Sequence, residues 1–197
     1  MLNVQDEKFW TYADYCKLPE DGKRYEVIDG VLYMSPSPKS IHQALSKYLE
    51  FLLFGLEQAG HGWVFNAPFD VIMPGATPVQ PDLIFVGAHQ RQIMGPDNIQ
   101  GVPMLLVEIL SPGSGRLDRV TKLNKYAQCG VPHYWILDPK ARTLEVLKLE
   151  GDSYRLLSAL ESGTTFVHPD LFHLKLDVAE LFAQVPAEID SPGEDEK

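Results

Sequence analysis

Two apolar runs, MLLVEIL at 104–110 and HYWIL at 133–137, stand on either side of a segment that is amphipathic with the period of a helix, and no other feature constrains the fold of this chain more. A run without polar alternation suits a strand covered on both faces. In the intervening segment Leu117, Val120, Leu123 and Ala127 fall on one helical face and Asp118, Lys122 and Lys125 on another, with Gly130 as the stop. A strand, a short helical crossover and a second strand of the same sheet form the unit that sets neighbouring strands parallel. The chain is therefore expected to be α/β, a mixed sheet with helices packed on it.

Further elements are marked around that unit. Thr11 is a candidate N-cap for a helix reaching about Lys17, ended by Pro19 and Gly22. Residues 24–34 read as two short strands joined at Asp29-Gly30, a dipeptide that readily supplies the positive φ angles of a hairpin turn. After Pro36-Ser37-Pro38, residues Ile41, Leu45, Tyr48, Leu49, Leu52 and Leu56 recur at helical spacing, which predicts the longest amphipathic helix over 40–59. Strands are expected at 63–65, 69–73 and 82–86, a peripheral hairpin at 143–149 and 153–159 around Gly151-Asp152, and a closing helical turn at 178–182. No interior linker divides the chain, so residues 1–186 are expected to form one domain.

The formal charge of −10, from 17 basic and 27 acidic residues, argues against a protein that grips nucleic acid over its whole surface. Part of the acidity lies in 187–197, which reads as a disordered tail. The first residues show neither a basic start nor a long apolar run, and no stretch reaches the roughly 18 apolar residues of a membrane span. Cys16 and Cys129 match no zinc or redox spacing and are read as reduced, buried thiols. Together these features predict a cytoplasmic protein.

Two carboxylates require an explanation. Asp82 and Glu108 each sit at an end of an apolar strand, where an ionised carboxylate is costly without a partner. One explanation is a structural ion pair to a nearby Arg or Lys. The other is a shared site for a hard divalent cation such as Mg²⁺, which takes one or two carboxylates and keeps waters that a phosphate oxygen can replace.

The pair, with Arg24-Tyr-Glu-Val-Ile-Asp-Gly30, Ser35-Pro-Ser-Pro38 and His42-Gln43, Pro81-Asp82, Val107-Glu-Ile-Leu-Ser-Pro112, Asp118…Lys122…Tyr126 and Gly130-Val-Pro-His-Tyr-Trp-Ile-Leu-Asp-Pro139, resembles the PD-(D/E)XK nuclease superfamily. Within it, the ordered set is similar to a bacterial restriction endonuclease family long catalogued as a domain of unknown function, over residues from about Tyr12 to Phe182. The resemblance implies a restriction-endonuclease-like fold and hydrolysis of phosphodiesters in DNA. It also implies a Mg²⁺ site, with Mn²⁺ as an alternative, formed by Asp82, Glu108 and the Ile109 carbonyl. One departure matters: the superfamily places a lysine two residues after the second acid, and that position is Leu110 here.

Lys122 is the candidate to supply the missing ammonium. Its place opposite the apolar stripe fits equally a solvated lysine paired with Asp118 at i, i+4. Glu26 is a candidate third acid or a surface strand residue, and His42 a candidate partner for a phosphate or an acid of the site, or a structural histidine. Tyr126 and Trp135 are assigned to packing. Arg116, Arg119, Lys122 and Lys125 against Asp118 form a local basic patch suited to a DNA backbone. Cutting of both strands is commonly served by a two-fold pair of sites, so a homodimer is expected. The alternative reading, favoured by Leu110 and by the net charge, is a non-catalytic interaction or nucleic-acid-binding module that keeps the fold.

Overall fold

The computed structural model describes residues 8–190 apart from Glu20, Pro36 and Thr77. In chain order the elements are α1 (Tyr12–Tyr15), β1 (Arg24–Ile28), β2 (Val31–Ser35), α2 (Ser40–Gln58), β3 (Gly62–Asn66), β4 (Asp70–Ile72), β5 (Leu83–Gly87), a 3₁₀ turn (Ala88–Ile93), β6 (Asn98–Gln100) and β7 (Leu105–Ile109). A π-helical stretch (Leu117–Lys122) then runs into α3 (Leu123–Gln128). It is followed by β8 (His133–Asp138), β9 (Thr143–Glu150), β10 (Ser153–Leu160), β11 (Thr165–Val167), β12 (Lys175–Asp177), α4 (Val178–Ala183) and α5 (Ala187–Asp190).

Six strands form the central sheet in the order β10-β9-β8-β7-β5-β3. Within this sheet β7 and β8 are the parallel pair, Leu105 facing His133 and Ile109 facing Leu137, as their helical crossover requires; β4 and β6 pair in parallel outside it. The 143–160 hairpin lies at the periphery as an extension of the main sheet: β9 pairs with β8, and β10 is the outermost strand of that margin. Alternate residues serve two cores. One face carries Leu83, Phe85, Val107, Ile109 and Trp135 against Leu45, Leu49, Leu53 and Leu56 of α2. The other carries Ile84, Leu106, Leu110, Tyr134 and Ile136 beneath Leu117 and Tyr126 of the crossover and Ile28 of the β1–β2 hairpin. That hairpin turns at Asp29 and Gly30, both with positive φ, as the Asp-Gly pair predicts.

The expected tail is divided. Ala187–Asp190 forms a helical turn, and Asp190 is tied to Arg142 at 2.8 Å; residues 191–197 lie outside the described residues. Cys16 is exposed rather than buried, and Cys129 is half-buried. No helix among the described residues is long and apolar enough to cross a membrane.

His133 at the start of β8 meets His168 edge to face, with ring centroids 4.8 Å apart. Burial pushes both imidazoles down to about 4, against an ordinary value of 6.5. The unfolded chain therefore binds more protons than the folded one between those values. The stability this contributes is complete above about pH 6.5 and is lost as pH falls towards 4. Replacing both histidines by glutamine is expected to flatten the fall in thermal midpoint between pH 7 and pH 5; an unchanged slope would contradict this.

Candidate active site

The register of the sheet places the two acids together. In the antiparallel β5–β7 pair Leu83 faces Val107 and Ile84 faces Leu106, so one further step sets Asp82 opposite Glu108 on the same face of the sheet. Asp82 Oδ2 accepts the Ile109 N–H at 2.7 Å, which closes the strand ends around the pair. Glu26 comes from β1, His42 from the first turn of α2 and Lys122 from the end of the π-helical stretch. All of them, with Ile109, line one cleft of about 290 Å³ whose wall also includes Arg24, Ser37, Lys39, Ser111, Ser114 and Asp118.

Glu26, Asp82, Glu108, Asp118 and Lys122 are each exposed by only 2–4%. Lys122 Nζ lies 2.9 Å from Glu26 Oε2, 2.9 Å from Glu108 Oε1 and 3.7 Å from Asp118 Oδ1, so its three N–H donors face three carboxylates. Burial alone would lower its pKa, but the charges of Glu108, Glu26 and Asp118 overcome that and hold it above its ordinary value. Tyr126 donates to Glu108 Oε1 at 2.8 Å, and the Gln80 N–H donates to Glu26 Oε1 at 2.8 Å. Asp82 is held from two more sides: Arg24 donates to Oδ1 at 2.7 Å and His42 Nε2 lies 3.2 Å from Oδ2. Arg24 also donates to the Gln80 carbonyl.

The two acids are tuned in opposite directions. Burial would raise the Asp82 carboxyl, but the His42 hydrogen bond and the Arg24 charge hold it well below the usual carboxylate range. Burial raises Glu108 well above that range; Lys122 opposes the rise, while Asp118, Asp82 and Glu26 add to it. Asp118 is raised for the same first reason.

Three expectations change. Lys122 is buried, not a solvated member of an outer face, and Val120, placed on the apolar stripe by a 3.6-residue period, is 51% exposed. The cause is the π-helical stretch: its i→i+5 bonds widen the turn and shift the inward face onto Leu117, Asp118 and Lys122. Second, Tyr126 packs in the core but also holds Glu108 through its hydroxyl. Third, the basic patch is largely compensated. Arg119 is bound by Glu145 at 2.7 Å and Asp138 at 3.3 Å, Lys125 by Asp29 at 2.7 Å, and Lys122 by the acids of the cleft. Arg116 stays exposed.

Arg24 and Asp118 were not among the candidate site residues. Arg24 stands in the matched motif beside Glu26 and could have been found there. Asp118 is hidden by its helical spacing to Lys122, which has a sufficient explanation as an ordinary surface pair. Leu110, where the superfamily carries lysine, packs in the apolar core beneath the crossover.

The family model Uma2, described as "Putative restriction endonuclease", matches residues 12–179. A crystal structure described as a putative nuclease belonging to DUF820, from Anabaena variabilis, superposes with a TM-score of 0.74 at 18% sequence identity, covering 90% of this chain and 99% of that one. The two share the fold. No curated protein matches the chain in sequence.

Proposed function

This chain belongs to the Uma2 family, and from that membership and the geometry of the cleft we propose that it is a Mg²⁺-dependent deoxyribonuclease, with Mn²⁺ able to replace Mg²⁺, that hydrolyses phosphodiesters at Asp82 and Glu108. What carries the reading is an excess of buried negative charge. Four carboxylates at 3–4% exposure face two permanent cations, Arg24 and Lys122, which leaves two negative charges in a cleft that opens to solvent. Buried charge of that size is offset either by protons, as the raised Glu108 and Asp118 indicate, or by one divalent ion.

The donor set fits such an ion: hard oxygens from two carboxylates and the Ile109 carbonyl, with room in the cleft for waters. Oδ1 of Asp82 accepts from Arg24 and, having two lone pairs, keeps one for a cation. Bound Mg²⁺ supplies a coordinated water of lowered pKa and offsets charge on the phosphoryl oxygens. Lys122 brings to Glu108 the ammonium that the superfamily draws from the position of Leu110. Arg24, His42 and the Ile109 N–H fix Asp82, and Tyr126 and Lys122 fix Glu108, so both acids are oriented before an ion or a phosphate arrives. Lys39 in the cleft wall and exposed Arg116, next in the chain to Leu117 of that wall, are the cations we assign to a DNA backbone.

Leu110 is what favours the other reading, a fold retained without hydrolysis. Titration calorimetry separates the two. Metal-free protein is expected to bind Mg²⁺ or Mn²⁺ saturably and Glu108→Gln to lose that binding. Glu108→Gln is also expected to raise the urea midpoint at pH 7, because it removes a charge the fold does not fully offset and keeps an oxygen for Lys122 and Tyr126. No binding by the wild type, or unchanged binding together with lower stability in Glu108→Gln, would support a structural ion pair instead.

A further inference from the structure

The stretch Leu117–Lys122 carries two competing helical patterns. With an ordinary α-helical period Leu117 and Val120 would share the face turned to the core and Lys122 would point to solvent. Burying a valine and hydrating an ammonium both favour that arrangement. The protein adopts the other: the π-helical turn leaves Val120 exposed and buries Asp118 and Lys122. Something must hold the wider turn. The ion pairs of Lys122 reward it only once it has formed, whereas one contact acts on the helix backbone itself. Tyr134 of β8, fully buried, donates its hydroxyl to the Asp118 carbonyl at 3.1 Å. A donor inserted from outside interrupts the regular ladder of a helix. The Tyr134 ring is fixed in turn, edge to face with Tyr126 at 5.1 Å between centroids, and Tyr126 holds Glu108.

We infer that Tyr134 is a positioning residue of the cleft, whose hydroxyl selects the π-helical turn and thereby sets the Lys122 ammonium against Glu26 and Glu108. Tyr126 and Tyr134 then form one aromatic block with two tasks, the first orienting the acid and the second the cation that meets it. The inference deepens the reading of the cleft, and its bearing on hydrolysis rests on that reading; the placement of Lys122 does not.

The lysine ammonium groups, observed by NMR in protein carrying ¹⁵N-lysine, test it without any metal. The wild type is expected to show a slowly exchanging ammonium that is absent in Lys122→Met. Tyr134→Phe keeps the ring, so the thermal midpoint should fall by only about 2–4 °C, yet this ammonium should exchange at least about tenfold faster and Mn²⁺ affinity should fall by about tenfold. Tyr154→Phe is the matched control: it removes another tyrosine hydroxyl bond, to the Val131 carbonyl at 2.8 Å, and should leave both readouts unchanged. Deleting exposed Val120 from Tyr134→Phe brings Leu117, Asp118 and Lys122 onto one face of an ordinary α-helix and should restore the slow ammonium. An ammonium unmoved by Tyr134→Phe, or equally exposed by Tyr154→Phe, would overturn the inference. If the ammonium behaves as expected while the wild type binds no Mn²⁺, the hold of Tyr134 on Lys122 is supported and the metal-site reading of the cleft fails by itself.

Discussion

Asp82→Asn is expected to reduce Mg²⁺-dependent cleavage of DNA by about a thousandfold or more while the protein remains folded. The substitution keeps the shape of the side chain and an oxygen for the Ile109 N–H, so the ends of β5 and β7 still close. It removes the negative charge that Arg24 and His42 hold in place and that a cation would meet. Because its neighbours hold this carboxyl ionised far below neutral pH, its contribution should not change across the range in which the fold is stable. Nicking of supercoiled plasmid with purified wild type and variant, with and without EDTA, reads the effect. Equal residual cleavage by the two proteins would show that the activity belongs to a contaminant and would remove the case for hydrolysis at this cleft.

Lys122→Met should have the largest effect on stability, about 3–5 kcal/mol at pH 7, because it leaves Glu26, Glu108 and Asp118 buried around an apolar side chain. The sign of the pH dependence separates this from simple loss of packing. Glu108 and Asp118 are already raised in the folded protein, so the fold binds more protons than the unfolded chain, and the stability their protonation contributes is lost as pH rises from the ordinary carboxylate range through their raised values. Removing the ammonium raises them further, which widens that window. The penalty of Lys122→Met should therefore shrink as pH is lowered from 7 to 5. Urea unfolding at the two pH values measures it, and a penalty that is absent at pH 7 or independent of pH would mean that Lys122 does not neutralise the acids.

The architecture was legible where local signals agreed with the global fold. The apolar runs at 104–110 and 133–137 with a helix between them identified the parallel pair, Asp29-Gly30 the turn of the hairpin, and the 40–59 period the helix that covers one face. Less legible was which sheet the 143–160 hairpin joins, because pairing partners depend on contacts far apart in sequence. Within the cleft, Asp82, Glu108, Glu26 and His42 could be named from their motifs, and the structure brings them together with Lys122. The inward turn of Lys122 was out of reach of a helical wheel, since a π-helical stretch breaks the period on which such a wheel rests. The neutralised basic patch was hidden for a different reason. Its partners Asp29, Asp138 and Glu145 lie 19 to 96 residues away in the chain, and only the fold reveals them.

The central claim, that Asp82 and Glu108 hold one divalent ion at an open cleft, is tested most directly by diffraction from Mn²⁺-soaked crystals at a wavelength where manganese scatters anomalously. The account predicts an anomalous peak within about 2.5 Å of a carboxylate oxygen of each acid and of the Ile109 carbonyl, with Lys122 still against Glu108. Crystals that take up Mn²⁺ elsewhere, while Arg24 and Lys122 keep their ion pairs and no peak lies between the two acids, would contradict it.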